Sequence, residues 1–361
     1  MSILPSLQIK SFVLKYCIDQ GGMGARISGP QLTRAVYEAG GLGVLSSAGL
    51  KDILRLVNKK EYTTYTAVRE EIETAMTGGY LTGINVMCKL EESFAETIRS
   101  ALDAKVSAIF VGAGLPPRIP NPGETALIPI VSSARALRFI LRLWRPDRPD
   151  AVVLEGPKAG GHLGFHHLAD IDNPEFALEN LLPEVLEVAS KHGNFPVIVA
   201  GGIYTHENIH QFLAMGASGV QMGTRFLATK ESNATPEFKQ AVVDSKEEDI
   251  LVVGSSPCGF PFRILRGSPA YQELLAGTRR AKCRMGYVLG QDTRGGYTVC
   301  KAAPNNSDHD KFFCICDALR AAIGLAPGEP PMYTVGSNAY RIQKIISVAE
   351  LMKELTEGVN P

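Results

Sequence analysis

PVIVAGGIYTHENIHQFLAMGASGVQMGTRF, residues 196–226, reads as strand, helix, strand. An apolar run from Val197 ends in Gly201-Gly202, a helical stretch HENIHQFLAMGA follows from His206, and a second strand run, SGVQMGTRF, opens at Ser218. Two strands joined through one helix lie parallel, because such a crossover needs about a dozen residues and a hairpin turn cannot supply it. Continuous apolar runs, without alternation, mark strands covered on both faces. Outward from this unit the same pattern recurs. FVLKYCI (Phe12 to Ile18) is followed by helical PQLTRAVYEAG, and LGVLSS runs from Leu42 to Ser47. Helical TAVREEIETAMTG leads to LTGINVM (Leu81 to Met87), and ESFAETIRSALDAK leads to VSAIFVGAG. LIPIVSS starts at Leu127 before helical ARALRFILRLW, and AVVLEG starts at Ala151. Strands alternating with helices define the α/β class. Eight such units suggest closure into a (β/α)8 TIM barrel, although an open doubly wound sheet satisfies the same alternation.

The pattern weakens after Leu227. Pro, Gly, Cys and polar runs such as PNNSDHDK follow, and helical periodicity returns in NAYRIQKIISVAELMKELTEG. The expected organisation is a barrel over 1–227, a smaller, mainly helical inserted domain over 228–330 serving as a substrate-side lid, and a C-terminal helix within 331–361 returning to the barrel. Hydrophobic residues make up 45% of the chain and charged residues 20%, with 37 Lys plus Arg against 37 Asp plus Glu. This balance supplies no electrostatic reason for nucleic acid or an anionic membrane as partner. The N-terminus lacks a signal-peptide pattern, and no apolar run is long enough to span a bilayer. Seven cysteines, an odd number, fit a reducing, cytoplasmic setting. Cys283, Cys300, Cys314 and Cys316 match neither a zinc ribbon nor a ferredoxin spacing, so reduced structural thiols are the plainer reading and no metal is expected. Cys258, in SSPCGFP, reads as packing.

Barrel sites form at the C-terminal ends of the strands. QGGMG follows the first strand run, GPKAGGHLG the sixth, AGGI ends the seventh and MGTRF the eighth. Glycine lets its backbone N–H approach a ligand closely, and unpaired amides at helix starts favour phosphate. Gly160, Gly161, Gly201, Gly202, Gly223 and Thr224 therefore suggest a phosphate cradle, whereas any single Gly-Gly pair is equally a tight turn. His162, read as an exposed loop histidine at the site mouth, is a candidate general base, because imidazole exchanges a proton near neutral pH. Holding a cofactor by hydrogen bonding is its blander role. His166 and His167 add no stronger case, and no carboxylate or cysteine pattern supports a metal there. Asn85 can donate and accept toward a heterocycle edge, or stabilise a turn. Met23 packs on a flat ring or in the core.

QGGMG together with AVYEAGGLGVLSSAG, EGPKAGGHLG, and PVIVAGGI followed by GASGVQMGTRFLAT resembles the nitronate monooxygenase (2-nitropropane dioxygenase) family over about residues 8–230. The resemblance implies FMN at the strand ends. Gly22, Met23 and Gly24 would lie along the isoalloxazine, and Asn85 and Glu155 would meet its polar edge or ribityl chain. The glycine pairs, Gly223 and Thr224 would hold the phosphate, with Gln221 beside them. His162 stands at the family's catalytic base. The implied reaction oxidises alkyl nitronates with O2 to carbonyl compounds and nitrite, with neutral nitroalkanes left open as further substrates.

Rival readings remain. An FMN-dependent enoyl-acyl-carrier-protein reductase using NAD(P)H shares the barrel and a similar glycine–histidine motif. An IMP-type dehydrogenase requires a cysteine in the loop after the sixth strand, where this chain has GPKAGGHLGF. A flavin-binding accessory protein without turnover is the non-enzymatic alternative. The expected partner is a small-molecule substrate, and a homodimer stays open.

Overall fold

The computed structural model describes residues 4–88, 90–165, 167–254, 261–281 and 315–358, with the pairs 290–291, 297–298 and 312–313. The chain opens on an antiparallel hairpin, β1 (Leu7–Ile9) and β2 (Phe12–Leu14). Lys10, at its turn, donates to the Thr125 carbonyl at 3.0 Å and pairs with Asp150 at 3.6 Å. Both partners precede barrel strands, so the hairpin covers the N-terminal end of the barrel.

FVLKYCI is therefore not the first barrel strand. Its first three residues belong to the hairpin, and the barrel begins at β3 (Ile18–Gln20). Polar side chains disguise β3. The Gln20 carboxamide accepts from the Val44 N–H at 3.2 Å and donates to Ser28 Oγ at 2.7 Å, which makes its burial affordable. Next come α1 (Pro30–Glu38), β4 (Leu42–Ser46), α2 (Leu50–Asn58), α3 (Thr64–Met76), β5 (Thr82–Met87), α4 (Glu91–Asp103), β6 (Ala108–Gly112), β7 (Ala126–Val131), α5 (Ala134–Leu143) and β8 (Val152–Glu155). A two-residue strand outside the barrel, β9 (Gly161–His162), precedes α6 (Leu178–Lys191), β10 (Val197–Ala200), α7 (His206–Ala214) and β11 (Gly219–Met222).

Parallel pairing runs β3-β4-β5-β6-β7-β8-β10-β11 and returns to β3, a closed TIM barrel of eight strands. Burial explains the apolar runs: every residue of β4, β6, β10 and β11 is buried, between the barrel interior and the helix ring.

After β11 come α8 (Thr224–Leu227), α9 (Pro236–Val243), β12 (Ile250–Val253), β13 (Phe262–Leu265), α10 (Pro269–Ala276), α11 (Ile315–Ala321) and α12 (Val348–Glu357). β12 and β13 pair antiparallel, and β13 also pairs with β9, setting Phe262 opposite His162 and Arg263 opposite Gly161. This small sheet joins the segment after the barrel to the barrel's own glycine–histidine motif. The helical run read from Asn338 begins later, at Val348, where Ser347 caps the helix by accepting from the Glu350 N–H. α12 packs on α1 and α7, between the last and first units of the ring. Among the described residues, no helix is long and apolar enough to cross a membrane.

Candidate active site

A cavity of about 1170 Å³ opens at the C-terminal ends of the barrel strands. Its floor is QGGMG. The Gly21 N–H donates to the Met222 carbonyl at 2.9 Å, and the Met23 N–H donates to Ser28 Oγ at 2.9 Å. A Cβ on Gly22 would stand 2.5 Å from Asn85 Cβ and 2.8 Å from the Leu45 carbonyl oxygen, so only glycine lets this loop lie flat on the ends of β4 and β5. Gly22, Met23, Gly24 and Asn85 all face the cavity.

The second wall is made by the loops after β8, β10 and β11. Gly160, Gly161, Gly201, Gly202, Gly223 and Thr224 line it, with Gln221 beside them. Gly201 and Gly202 have φ of +98° and +83°, which a side chain would strain. The starting turn of α7 is capped by Thr205, whose side chain accepts from the Asn208 N–H, so part of the helix start expected to meet phosphate already has an internal partner.

The sequence did not reveal that a distant segment completes this wall. The Gly336 N–H donates to Thr224 Oγ1 at 2.8 Å, the Ser337 N–H to the Lys158 carbonyl at 3.2 Å, and Asn338 Nδ2 to the Gly202 carbonyl at 2.5 Å. Its only local sign is the turn-forming Gly-Ser-Asn at 336–338. Two polar atoms here, Gln221 Nε2 and Ser337 Oγ, are buried without a hydrogen-bond partner, and both residues line the cavity. An unsatisfied buried donor costs roughly 1–3 kcal/mol, a cost that a polar ligand at this wall removes.

His162 also faces the cavity, yet it is not a residue of an exposed loop. It sits half-buried in β9, its ring 4.7 Å from that of Phe262. Strand pairing with β13 holds its backbone, and the tilted contact with Phe262 limits the ring. Glu155, at the end of β8, lines the same cavity. Burial pushes its carboxyl up to about 7, against the opposing pull of His162.

Arg263 also escaped the sequence reading, although an arginine inside the apolar run FRIL is a visible anomaly. It is buried, donating to the Pro157 carbonyl at 2.7 Å and the Ala159 carbonyl at 2.5 Å. Burial lowers its guanidinium to about 10, with Asp172 opposing the shift. The clamp fixes the loop that leads into Gly160, Gly161 and His162.

Cys316 lines the cavity, while His166, Cys258, Cys283, Cys300 and Cys314 lie outside the described residues. Among the described residues, no cluster of three or more His, Cys, Asp or Glu side chains could hold a metal ion.

The model of the family described as nitronate monooxygenase matches residues 6–358. A probable nitronate monooxygenase of Staphylococcus aureus (strain Newman) is 26% identical over 278 residues, covering 70% of this chain and 75% of the relative. The structure of FabK from Thermotoga maritima superposes with a TM-score of 0.71 at 26% identity, over 95% of this chain and 92% of that one. A nitroalkane oxidase from Streptomyces ansochromogenes shares the fold, with a TM-score of 0.66 at 23% identity over 95% of each chain.

Proposed function

We propose that this chain, which belongs to the nitronate monooxygenase family and is an oxidoreductase, uses FMN to oxidise alkyl nitronates with O2 to carbonyl compounds and nitrite. One observation carries the reading. A single cavity combines a flat glycine floor, a polar wall with two unpartnered buried groups, and a half-buried histidine.

These residues fit a flavin mononucleotide. Gly22 and Gly24 leave a flat surface for a ring system, with Met23 and Asn85 at its edge. Gln221 Nε2 and Ser337 Oγ would gain acceptors from the ribityl phosphate end, between Gly160-Gly161 and Gly201-Gly202. When bound, FMN supplies the electron transfer and the reaction with oxygen, which no side chain here performs.

The chain's own residues do the rest. His162 would accept the proton from the carbon beside a nitro group when the substrate is a neutral nitroalkane. A nitronate has already lost that proton and makes no such demand. Burial holds the Glu155 carboxyl toward its protonated form, which lessens its repulsion of an anionic substrate. Strand pairing through β9 and the Arg263 clamp hold the backbone that carries His162, and the Phe262 ring limits where the imidazole can turn, which favours a constant proton-transfer geometry.

Oxygen uptake and nitrite release by the FMN-loaded protein with propyl nitronate test the reading. Coupled uptake and nitrite support it, and no nitrite above the enzyme-free rate overturns it. The likeness to FabK favours a second reading, an FMN-dependent enoyl-acyl-carrier-protein reductase driven by NAD(P)H. Membership of an enzyme family sets aside the accessory protein without turnover.

A further inference from the structure

The charges around the cavity are one-sided. Among the described residues lining it, the acidic side chain is Glu155, against Arg135, Arg142, Lys158, Arg225 and Arg320. Two of these cations are already neutralised: Arg225 pairs with Glu354 at 2.6 Å and Arg320 pairs with Asp317. Lys158 stands on the loop beside Gly202, at the wall assigned above to the phosphate. Arg135 and Arg142 have no acidic partner among the described residues and no anion assigned to them.

Their placement is specific. Both project from α5, and the cavity lining follows this helix from Ser133 through Arg135 and Phe139 to Arg142. Positions 135, 139 and 142 are spaced i, i+4, i+7, which puts them on one helix face spanning roughly 10 Å. Phe139 is 44% exposed, and Leu115, which follows β6, is 50% exposed; both line the same cavity. In the ring of strands β6 stands opposite β11, while α5 follows β7 beside β8, so this face runs from the loop after β8 toward the β6 side of the cavity. The total volume, about 1170 Å³, includes the space assigned above to FMN, and the face formed by Arg135, Phe139 and Arg142 lies outside the residues assigned to it. A short nitronate leaves this face unfilled, with Phe139 half exposed between two unpaired cations and Leu115 half exposed on the same cavity.

We propose that the substrate is an anionic amphiphile. A chain of several methylenes lies over Leu115 and Phe139, and a carboxylate or phosphate at the end remote from the reacting carbon is held by Arg135 and Arg142. The identity of the reacting group rests on the proposed nitronate chemistry, whereas the binding of the chain does not. Burying the methylenes supplies affinity, at about 0.8 kcal/mol each when fully covered. The two arginines select the anion and attract it from solution.

Calorimetric titration of the FMN-loaded protein with hexanoate, decanoate and decan-1-ol tests this without turnover. Decanoate should bind more tightly than either of the others, and its affinity should fall as salt rises. An Arg135→Gln/Arg142→Gln double variant should bind decanoate about tenfold more weakly, close to the most that two exposed ion pairs return. The variant's affinity for decan-1-ol should stay near that of the unmodified protein, and an Arg135→Lys/Arg142→Lys variant should keep most of the decanoate affinity. Equal affinities for hexanoate and decanoate, or a double Gln variant that binds decanoate as before, would overturn the proposal. Decanoate binding together with an absence of nitrite from every nitronate would instead count against the reaction alone.

Discussion

Replacing Gly160 by alanine should push the 335–338 segment away from the glycine wall without unfolding the barrel. A Cβ there would lie 2.7 Å from the Gly336 nitrogen, 2.7 Å from the Val335 carbonyl carbon and 2.9 Å from its oxygen. All three are backbone atoms, so no side chain can rotate aside. Overpacking of this kind costs about 1–3 kcal/mol. The 335–338 segment lies outside the barrel, and in the cofactor-free protein it can relax by moving away from Gly160. Bound FMN would require the closed spacing, because Ser337 Oγ belongs to the same polar wall as Gly160-Gly161 and Gly201-Gly202. The cost then falls on binding, a loss of roughly 5- to 150-fold in FMN affinity. Gly267→Ala is the control. It does not line the cavity, its φ is not positive, and its Cβ would meet nothing within 4 Å. Quenching of flavin fluorescence on titration into cofactor-free protein reads both affinities, and thermal melting checks the fold. The reasoning is refuted if Gly160→Ala binds FMN as tightly as the unmodified protein, or if Gly267→Ala loses as much.

His162→Ala should retain FMN but slow turnover of neutral nitroalkanes by roughly 100- to 10,000-fold, with a much smaller effect on nitronates; equal losses of kcat/KM for 1-nitropropane and propyl nitronate would remove the base assignment. Arg263→Met should lower the urea midpoint, since it strands the Pro157 and Ala159 carbonyls at roughly 1–3 kcal/mol each, and an unchanged midpoint would show the clamp to be idle. Asp19 predicts a pH effect. Burial raises its carboxyl from 3.8 to about 8, and neither oxygen has a hydrogen-bond partner. As pH rises through that window the unfolded chain releases this proton while the folded chain keeps it, so Asp19 erodes stability progressively and its full cost is reached above about pH 8. Asp19→Asn should therefore raise Tm most at pH 8 and above and least near pH 4, and a difference that does not grow with pH would contradict the argument.

The barrel was legible because its strands are buried on both faces and their sequences are apolar without interruption, as in VIVA at 197–200 and AIFVG at 108–112. The signal failed where function or packing placed polar groups in a strand. β3 is Ile-Asp-Gln, so the more apolar Phe12–Leu14 drew the reading to the hairpin. α2 passed unread, a short helix between Gly49 and Lys59, both in left-handed conformation. Within the candidate site, glycine pairs and His162 stood out because their residue types are chemically unusual after apolar runs, and the structure brings all of them to one cavity. Gly336, Ser337, Asn338 and Arg263 did not stand out. Their roles come from contacts made more than a hundred residues away along the chain, to Thr224, Gly202, Pro157 and Ala159. No local pattern encodes such pairings.

The visible spectrum of the FMN-loaded protein during anaerobic addition of propyl nitronate, with NADPH in a parallel cuvette, tests the central claim most directly. The account predicts that the oxidised flavin bands decline with the nitronate. Bands that decline only with NADPH would move the assignment to the reductase, and a protein that binds no flavin would contradict the account at its root.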